Sequence, residues 1–259
     1  MTQDVLDPVP IGVVFILFMV LTFGCFEGGF RLGVWWQARE PGEQEGPTDM
    51  LVGSLLGLMA FVLAITLGLA TDRHDARRGL VVAEANAITT AYQRADYLPA
   101  SEAARLKALL RAYVPLRIVT DPAVVPANIA ASAALARQMW AIVVSAAQAG
   151  DNSDLLASLG EALNELVAVS EQRVVAGVYA RVPPTIMLLL LAGSALSLAM
   201  VGYSAGLKGR RSLLSATVLI LTLGAVTMLV VDLDRPQEGF LTVSQQALVD
   251  AQRFMAAPP

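Results

Sequence analysis

The sequence predicts an all-α membrane protein, with four transmembrane helices in two hairpins that flank a helical bundle domain. The first observation is composition: 56% of the 259 residues are hydrophobic and 15% are charged, whereas about 25% of the residues in a soluble domain are charged. The second is that the apolar residues are concentrated in four blocks. The third is that the residues between the second and third blocks have the helical periodicity and charge of a soluble bundle.

Each apolar block can reach the length that crosses a membrane, since about 20 helical residues span a hydrocarbon core of about 30 Å. The blocks are Ile11–Phe26, which can extend to Trp36, then Met50–Thr71, Thr185–Ser204 and Leu213–Val231. No Lys or Arg precedes the first block, whereas Asp4 and Asp7 do. A cleaved signal peptide requires a positive N-terminal region, so we expect the first helix to be a retained anchor.

These blocks divide the chain into four predicted segments. They are a first transmembrane helix pair at 1–71, a helical extramembrane domain at 72–182, a second pair at 183–231 and a C-terminal segment at 232–259. Breaks at 98–99, 120–126 and 150–152 leave about four helices in the extramembrane domain. No Pro lies between Met50 and Tyr97, so one continuous helix is expected to run from the second block into this domain.

Two serines are predicted to cap helices of the extramembrane domain. Ser101 follows the first break and Ser153 follows the last, and a serine oxygen at a helix start accepts a hydrogen bond from the backbone. Helical spacing then predicts the apolar face of the last helix, formed by Leu155, Leu159, Leu163, Leu166, Val167 and Ser170.

The sequence offers little for catalysis or metal binding. The single Cys25 excludes an internal disulfide, and the single His74 excludes a multi-histidine site within one subunit. No nucleotide-binding, zinc-hydrolase or dithiol motif occurs, and no basic run supports nucleic-acid binding. We therefore predict a protein that is not an enzyme, has no cofactor and binds no nucleic acid.

Two sets of charged residues admit either a structural or a functional interpretation. Asp232 and Asp234 either bind a hard cation together with backbone oxygens or end the last transmembrane helix beside Arg235. Glu27 and Arg31 are four residues apart and can neutralise each other near a membrane interface. The structural interpretation is favoured for both, because two carboxylates are few for a cation site and Glu27 lies at shallow depth.

Small residues recur at helical spacing in the first two blocks. In the second block they form what we call the small-residue stripe, namely Gly53, Gly57, Ala60, Ala64 and Gly68. In the first helix the pairs are Gly24 with Gly28 and Gly29 with Gly33. Such spacing lets helix backbones approach closely in lipid. It fits packing within one chain as well as packing between subunits, and the two are compatible.

Four segments of the chain resemble the bestrophin-like family of membrane proteins. They are EGGFRLG at 27–33, DRHDARR at 72–78, EANAITTAY at 84–92 and DLDRP at 232–236. The order of two helices, a helical domain and two further helices is also that of the family. The resemblance covers nearly the whole chain and implies a bestrophin-like fold.

A more distant resemblance to bestrophins proper implies a mechanism. Those proteins are pentameric anion channels in which the second helix of each subunit lines a narrow hydrophobic neck, before a charged stretch with Arg. When Gly68 is matched to the family glycine, the neck residues are Phe61, Ile65 and Leu69, and the mouth arginines are Arg73, Arg77 and Arg78. The neck residues lie about 100° around the helix from the small-residue stripe. From spacing alone, a face that meets lipid or a neighbouring helix is the favoured interpretation of these three residues.

The resemblance therefore predicts an oligomeric, anion-conducting ion channel. Its partners would be membrane lipid, other copies of the chain in a homo-pentamer, and inorganic anions. The alternative is a non-conducting membrane-anchored scaffold or sensor whose helical domain binds partners. A continuous axial path through a ring of subunits distinguishes the channel from the scaffold.

The predicted location is a bacterial-type inner membrane, with several spans. By the resemblance, both termini and the helical domain lie in the cytoplasm. Lys and Arg occur in nearly equal numbers at the helix ends of the two sides, so the positive-inside rule does not fix the orientation.

Overall fold

The computed structural model describes residues 10–40, 45–118, 121–151, 153–179, 181–235 and 239–257, and these contain eight α-helices and no strand. The predicted all-α fold is confirmed. The helices are α1 (Ile11–Arg39), α2 (Glu45–Arg94), α3 (Ala100–Arg117), α4 (Val125–Gln148), α5 (Asp154–Val174), α6 (Pro184–Leu207), α7 (Leu213–Asp234) and α8 (Gln246–Ala256).

The four predicted apolar blocks lie in α1, α2, α6 and α7, and each helix extends beyond its block. α1 continues past Glu27 to Arg39, since Arg31 lies one turn on and neutralises the Glu27 carboxylate at 3.0 Å. Among the described residues α4 is a fifth helix that is long and apolar enough to cross a membrane. Its apolar character comes largely from alanine.

The chain divides into two compact units. The membrane unit comprises Met1–Asp72 and Arg181–Leu241, and the bundle unit comprises Arg73–Ala180 and Thr242–Pro259. α2 contributes to both, because it is unbroken from Glu45 to Arg94 and is followed by a 3-10 turn that ends at Tyr97. The predicted continuous helix is thus confirmed, whereas the sequence-based domain limits at 72, 182 and 231 remain predictions.

α1 and α6 of the membrane unit meet backbone to backbone. A Cβ atom added at Gly29 would overlap the carbonyl oxygen of Ala199, and one added at Gly202 would overlap the carbonyl oxygen of Phe26. One turn further on, Gly33 faces α6 in the same way. Backbones approach this closely only where side chains are absent, so these glycines are required by packing.

The two predicted glycine pairs of α1 therefore differ. Gly29 and Gly33 contact α6, whereas a Cβ added at Gly24 or Gly28 would meet no atom within 4 Å. The same sequence spacing thus marks a packed pair and an open pair on adjacent faces of one helix.

Apolar side chains join α2 to α6 and α7 within the membrane unit. The buried members of this cluster are Met59, Leu63, Ala70, Leu190, Val230 and Leu233. The α2 members recur at helical spacing and therefore share one face.

The carboxylates at the end of α7 accept backbone hydrogen bonds. Asp232 accepts from the N–H groups of Phe240 and Leu241 at 2.8 and 2.9 Å, and Asp234 accepts from the N–H of Val182 at 2.7 Å. Among the described residues, no group of three or more His, Cys, Asp or Glu is arranged to hold a metal ion. The structural interpretation of these two aspartates is the one that their contacts support.

The bundle unit encloses an apolar core built from part of α2 together with α3, α4, α5 and α8. Its most deeply buried residues include Ile88, Leu106, Leu110, Leu159, Leu166 and Leu248. The predicted cap at Ser153 is confirmed, since its hydroxyl accepts from the Leu156 N–H at 3.2 Å. The predicted cap at Ser101 is wrong: α3 begins at Ala100, because Pro99 holds the extended conformation that precedes the first helical residue.

The predicted apolar face of α5 is correct at Leu159, Leu163 and Leu166, which are buried. Leu155 is 53% exposed, and the adjacent Leu156 lies in the core instead. The register of the first turn therefore differs by one residue from the one predicted.

Candidate functional site

The predicted neck residues and small-residue stripe occupy different faces of α2. Its third face is buried and carries Met59, Leu63, Thr66 and Ala70. At 100° per residue the buried face lies roughly 130° from each of the other two, which lie roughly 100° apart. The three faces therefore surround the helix almost evenly.

The neck residues are uncovered in the single chain. Phe61, Ile65 and Leu69 are exposed by 63%, 50% and 41%. They point to a common side, as their four-residue spacing predicts. Three large apolar side chains in a row thus form a continuous strip on α2 that is available to an axis, to lipid or to another subunit.

The small-residue stripe is also open. All five of its residues are exposed, and a Cβ added at Gly53, Gly57 or Gly68 would meet no atom within 4 Å. Among the described residues, the stripe is therefore not packed against another helix of the same chain. Packing between subunits, the other interpretation, stays a prediction.

The three mouth arginines have three different environments. Arg77 is 4% exposed and its Nε donates to the carbonyl oxygen of Ala176 at 2.9 Å. Arg73 is half-buried, and its Nη1 has no hydrogen-bond partner among the described residues. Arg78 is exposed. Only Arg78 thus presents its charge freely to solvent in the single chain.

The helical register explains this division. Arg77 falls four residues after Arg73 and continues the buried face of α2, whereas Arg78 lies nearer the small-residue stripe. The residues that continue the face of Phe61 and Leu69 are Asp72 and Ala76, both exposed. A carboxylate, rather than a guanidinium, is therefore the first charged group along the neck face.

Arg77 contacts a segment with altered helical hydrogen bonding. After α5 the chain continues as a π-helical turn at Val175–Tyr179. A change from α- to π-helical bonding leaves carbonyl groups that require other donors, and such turns are frequent at functional sites. Arg77 supplies one such donor to Ala176. This contact ties α2 to the end of α5 within the bundle unit.

A buried ionic cluster lies further along α2. The Glu84 side chain is fully buried, and its Oε1 accepts from Arg117 Nε at 2.6 Å while its Oε2 accepts from Arg173 Nη1 at 2.6 Å. Tyr113 donates its hydroxyl to Glu84 Oε1 at 3.2 Å. The guanidinium of Arg117 also reaches the Ser132 hydroxyl at 3.4 Å. We call Glu84, Arg117, Arg173 and Tyr113 the Glu84 cluster.

The Glu84 cluster joins helices that are distant in sequence. Glu84 lies on α2, Arg117 on α3 and Arg173 on α5, so one carboxylate holds three helices together. Burial, reinforced by the charge of Glu84, raises the pKa of Tyr113 to about 12, so the phenol remains a neutral donor. Removing one partner from a buried pair costs about 3–5 kcal/mol, since the remaining charge is left without compensation.

The Glu84 cluster was not predicted from the sequence, although the sequence contains a signal for it. Glu84 stands four residues before the buried Ile88, and Arg117 stands four residues after the buried Tyr113. Charged residues at positions that helical periodicity assigns to the core are rarely buried unless they are paired. The mutual pairing depends on tertiary structure and could not be inferred from one sequence.

Comparison with known proteins identifies the family. A family model for the bestrophin-like domain matches residues 24–248. A bacterial bestrophin homologue from Klebsiella pneumoniae, in a leucine-to-threonine variant, has a TM-score of 0.67 and 16% identity over 95% of this chain and 97% of that one. A structure of a homologue from the same organism, phased with zinc, has a TM-score of 0.65 and 16% identity over 93% and 95%.

At such low identity these structures show likeness of fold alone. Comparison with curated proteins gave no match. The family model spans most of the sequence, from within α1 to the start of α8. It includes all the segments, from 27–33 to 232–236, that resemble the family. The chain belongs to the bestrophin-like family.

Proposed function

We propose that the protein is an oligomeric ion channel whose α2 helices surround a central axis. The observation that carries this proposal is that α2 has one buried face and two open ones, a small-residue face and a large apolar face. A helix in a ring needs these three surfaces: one toward its own subunit, one toward a neighbour and one toward the axis. By resemblance to bestrophins the ring would contain five subunits.

The neck residues supply the constriction in this proposal. Five copies of Phe61, Ile65 and Leu69 would form stacked apolar rings. Such rings raise the barrier to ions, because an ion would lose hydration there without replacement and a narrow apolar passage expels water. The neck would thus set the conductance and act as a gate.

Anion conduction is the finer part of the proposal, and it rests on resemblance and on the mouth arginines. Fixed positive charge beyond the neck concentrates anions, and Arg78 is the exposed candidate. Asp72, on the neck face, would oppose it. Asp72→Asn should therefore shift the anion-to-cation permeability ratio toward anions, and Arg78→Gln should shift it toward cations. If neither changes the ratio, these charges do not line the conduction path.

The proposed location is a bacterial-type inner membrane, with both termini and the bundle unit in the cytoplasm. The family membership and the apolar helices support the membrane, and the resemblance to bestrophins supports the orientation. A reporter enzyme that is active only in the periplasm should be inactive when fused to the C-terminus. If the reporter is active in that fusion, the C-terminus lies in the periplasm and the proposed orientation is wrong.

The test of assembly uses Gly57→Leu. A leucine at Gly57 has room within its own chain, so each subunit should fold, whereas a neighbouring α2 should be pushed away. Native mass spectrometry in mild detergent should show a ring for the parent and smaller species for the variant. Gly12→Leu is the control, because Gly12 is equally open but lies on α1 and belongs to neither predicted glycine pair. If Gly57→Leu assembles like the parent, the stripe is not an interface.

A non-conducting scaffold or sensor is the second candidate. It is favoured by large apolar side chains on the surface of the bundle unit, where Trp140 is 45% exposed and Phe254 is 47% exposed. Such residues can bind partner proteins. A purified ring that gives no ion flux in liposomes would favour the scaffold over the channel.

A further inference from the structure

A cleft runs between α1 and α7 in the membrane unit. It has a volume of about 480 Å³, and its apolar walls include Met19, Phe23, Gly24, Ile220 and Leu221. The missing side chain of Gly24 leaves it open, since a Cβ there would meet no atom within 4 Å. At one end of the cleft the Met19 side chain lies against Gly224 of α7.

The other end of the cleft is charged. Glu27 lines this end, about 12 Å along the helix from Met19 at a rise of about 1.5 Å per residue. That length is close to the half-thickness, about 15 Å, of the hydrocarbon core of a bilayer. The cleft therefore has the length and polarity of one leaflet, with an apolar interior and a polar entrance.

Positive charge exceeds negative charge at this entrance. Glu27 is paired with both Arg31, at 3.0 Å, and Arg211, at 2.5 Å. The side chains of Arg31 and Arg211 are still 79% and 43% exposed, and the neighbouring Arg210 is exposed. One carboxylate thus leaves a surplus of guanidinium charge, with donor groups directed to solvent.

The surroundings of the entrance are those of a membrane interface. Trp35 and Trp36 lie two turns beyond Glu27 on α1 and are 45% and 37% exposed, and tryptophan is enriched where a helix crosses the headgroup region. The N-terminus of α7, capped by Ser212, adds its partial positive charge beside Arg211. Arg211 and the N-terminus of α7 both favour a phosphate at this end of the cleft.

We propose that the α1–α7 cleft binds an anionic phospholipid, with one acyl chain in the cleft and its phosphate at Arg31 and Arg211. The acyl chain would pack against the apolar walls, and the phosphate would balance the surplus guanidinium charge. A zwitterionic lipid would fill the same cleft but bring its own cation to a site that already has an excess. This site is separate from the proposed pore, and it does not depend on conduction.

The test measures binding of phosphatidylglycerol and phosphatidylcholine, with the same acyl chains, to the full-length protein by native mass spectrometry. The parent should prefer phosphatidylglycerol, and glycerol phosphate without acyl chains should not compete. Gly24→Leu fills the cleft and should weaken phosphatidylglycerol binding at least about tenfold. Gly12→Leu is the control, because Gly12 is also open on α1 but does not line the cleft.

A second variant tests the contribution of the headgroup contact separately from that of the acyl chain. Arg211→Gln should reduce the preference for phosphatidylglycerol about fivefold, the effect of one cation near a lipid phosphate. Phosphatidylcholine binding should weaken less, because the choline cation of that lipid already offsets its phosphate. The proposal is overturned if the parent binds both lipids equally, or if Gly24→Leu binds like the parent. It is also overturned if Gly24→Leu breaks the oligomer, since a second copy of the chain would then occupy the cleft. If Gly24→Leu does not fold, Thr217→Phe takes its place, because Thr217 lines the cleft from α7.

Discussion

In the membrane unit α1 and α6 meet backbone to backbone at glycines, whereas in the bundle unit α2, α3 and α5 meet around one buried carboxylate. The difference follows from the environment of each unit. Among helices that are apolar on every side, burial of leucine does not select one neighbour over another, and small residues select it by allowing close approach. In the bundle unit the apolar core provides the driving force, and the Glu84 cluster fixes which helices meet.

The largest effect is expected in the bundle unit. Glu84→Gln keeps the shape of the side chain but removes the charge that compensates Arg117 and Arg173, so the unfolding free energy should fall by about 3–5 kcal/mol. Denaturant unfolding in detergent measures the loss.

Asp96→Asn is the matched control for that change. Asp96 pairs with Lys107 at 2.6 Å, but its side chain is 64% exposed, so the loss should be at most about 1 kcal/mol. Equal stability of the two variants would show that the Glu84 cluster does not hold the bundle unit together.

A smaller effect is expected in the membrane unit. Gly202→Ala would place a Cβ atom against the backbone of α1, which cannot move without shifting a whole helix. The unfolding free energy should fall by about 3 kcal/mol. The control is Gly193→Ala on the same helix, where the added Cβ would approach the flexible Met59 sulfur at 2.9 Å.

Thermal unfolding of the two alanine variants compares their neighbours. The added Cβ meets the rigid backbone of α1 in Gly202→Ala and the flexible Met59 side chain in Gly193→Ala. Gly193→Ala should unfold within a few degrees of the parent, because Met adapts its rotamer at little cost. If both variants lose equal stability, close approach of α1 and α6 is not what holds the membrane unit together.

Local sequence features predicted the helices but not their partners. The apolar blocks and the absence of Pro between Met50 and Tyr97 determined α1, α2, α6 and α7, because hydropathy and helix breakers act within a few residues. The glycine pattern predicted close packing at Gly29 and at Gly57 alike. Only the structure shows that Gly29 is packed within the chain and that Gly57 is open.

The sequence-based predictions were wrong or incomplete where the outcome depended on a single residue or on a contact between distant parts of the chain. Ser101 fits a helix cap by composition, but Pro99 starts the helix one residue earlier. Leu155 and Leu156 are equally apolar, and only the packing of α5 selects Leu156. Glu84 falls at a core position of α2, but its partners lie on α3 and α5, so the pairing could not be predicted from helical spacing.

The central claim is that the open large-residue face of α2 lines the axis of a ring. The most direct measurement is chloride flux through purified protein in liposomes, comparing the parent with the triple variant Phe61→Ala, Ile65→Ala and Leu69→Ala. Shorter side chains should widen and wet the neck, so flux should rise, or appear where the parent has none. The control variant replaces three leucines of α6 with alanine, namely Leu188, Leu189 and Leu196, which are 65%, 56% and 57% exposed. This variant should have the same flux as the parent. A folded neck variant whose flux equals that of empty liposomes would contradict the account.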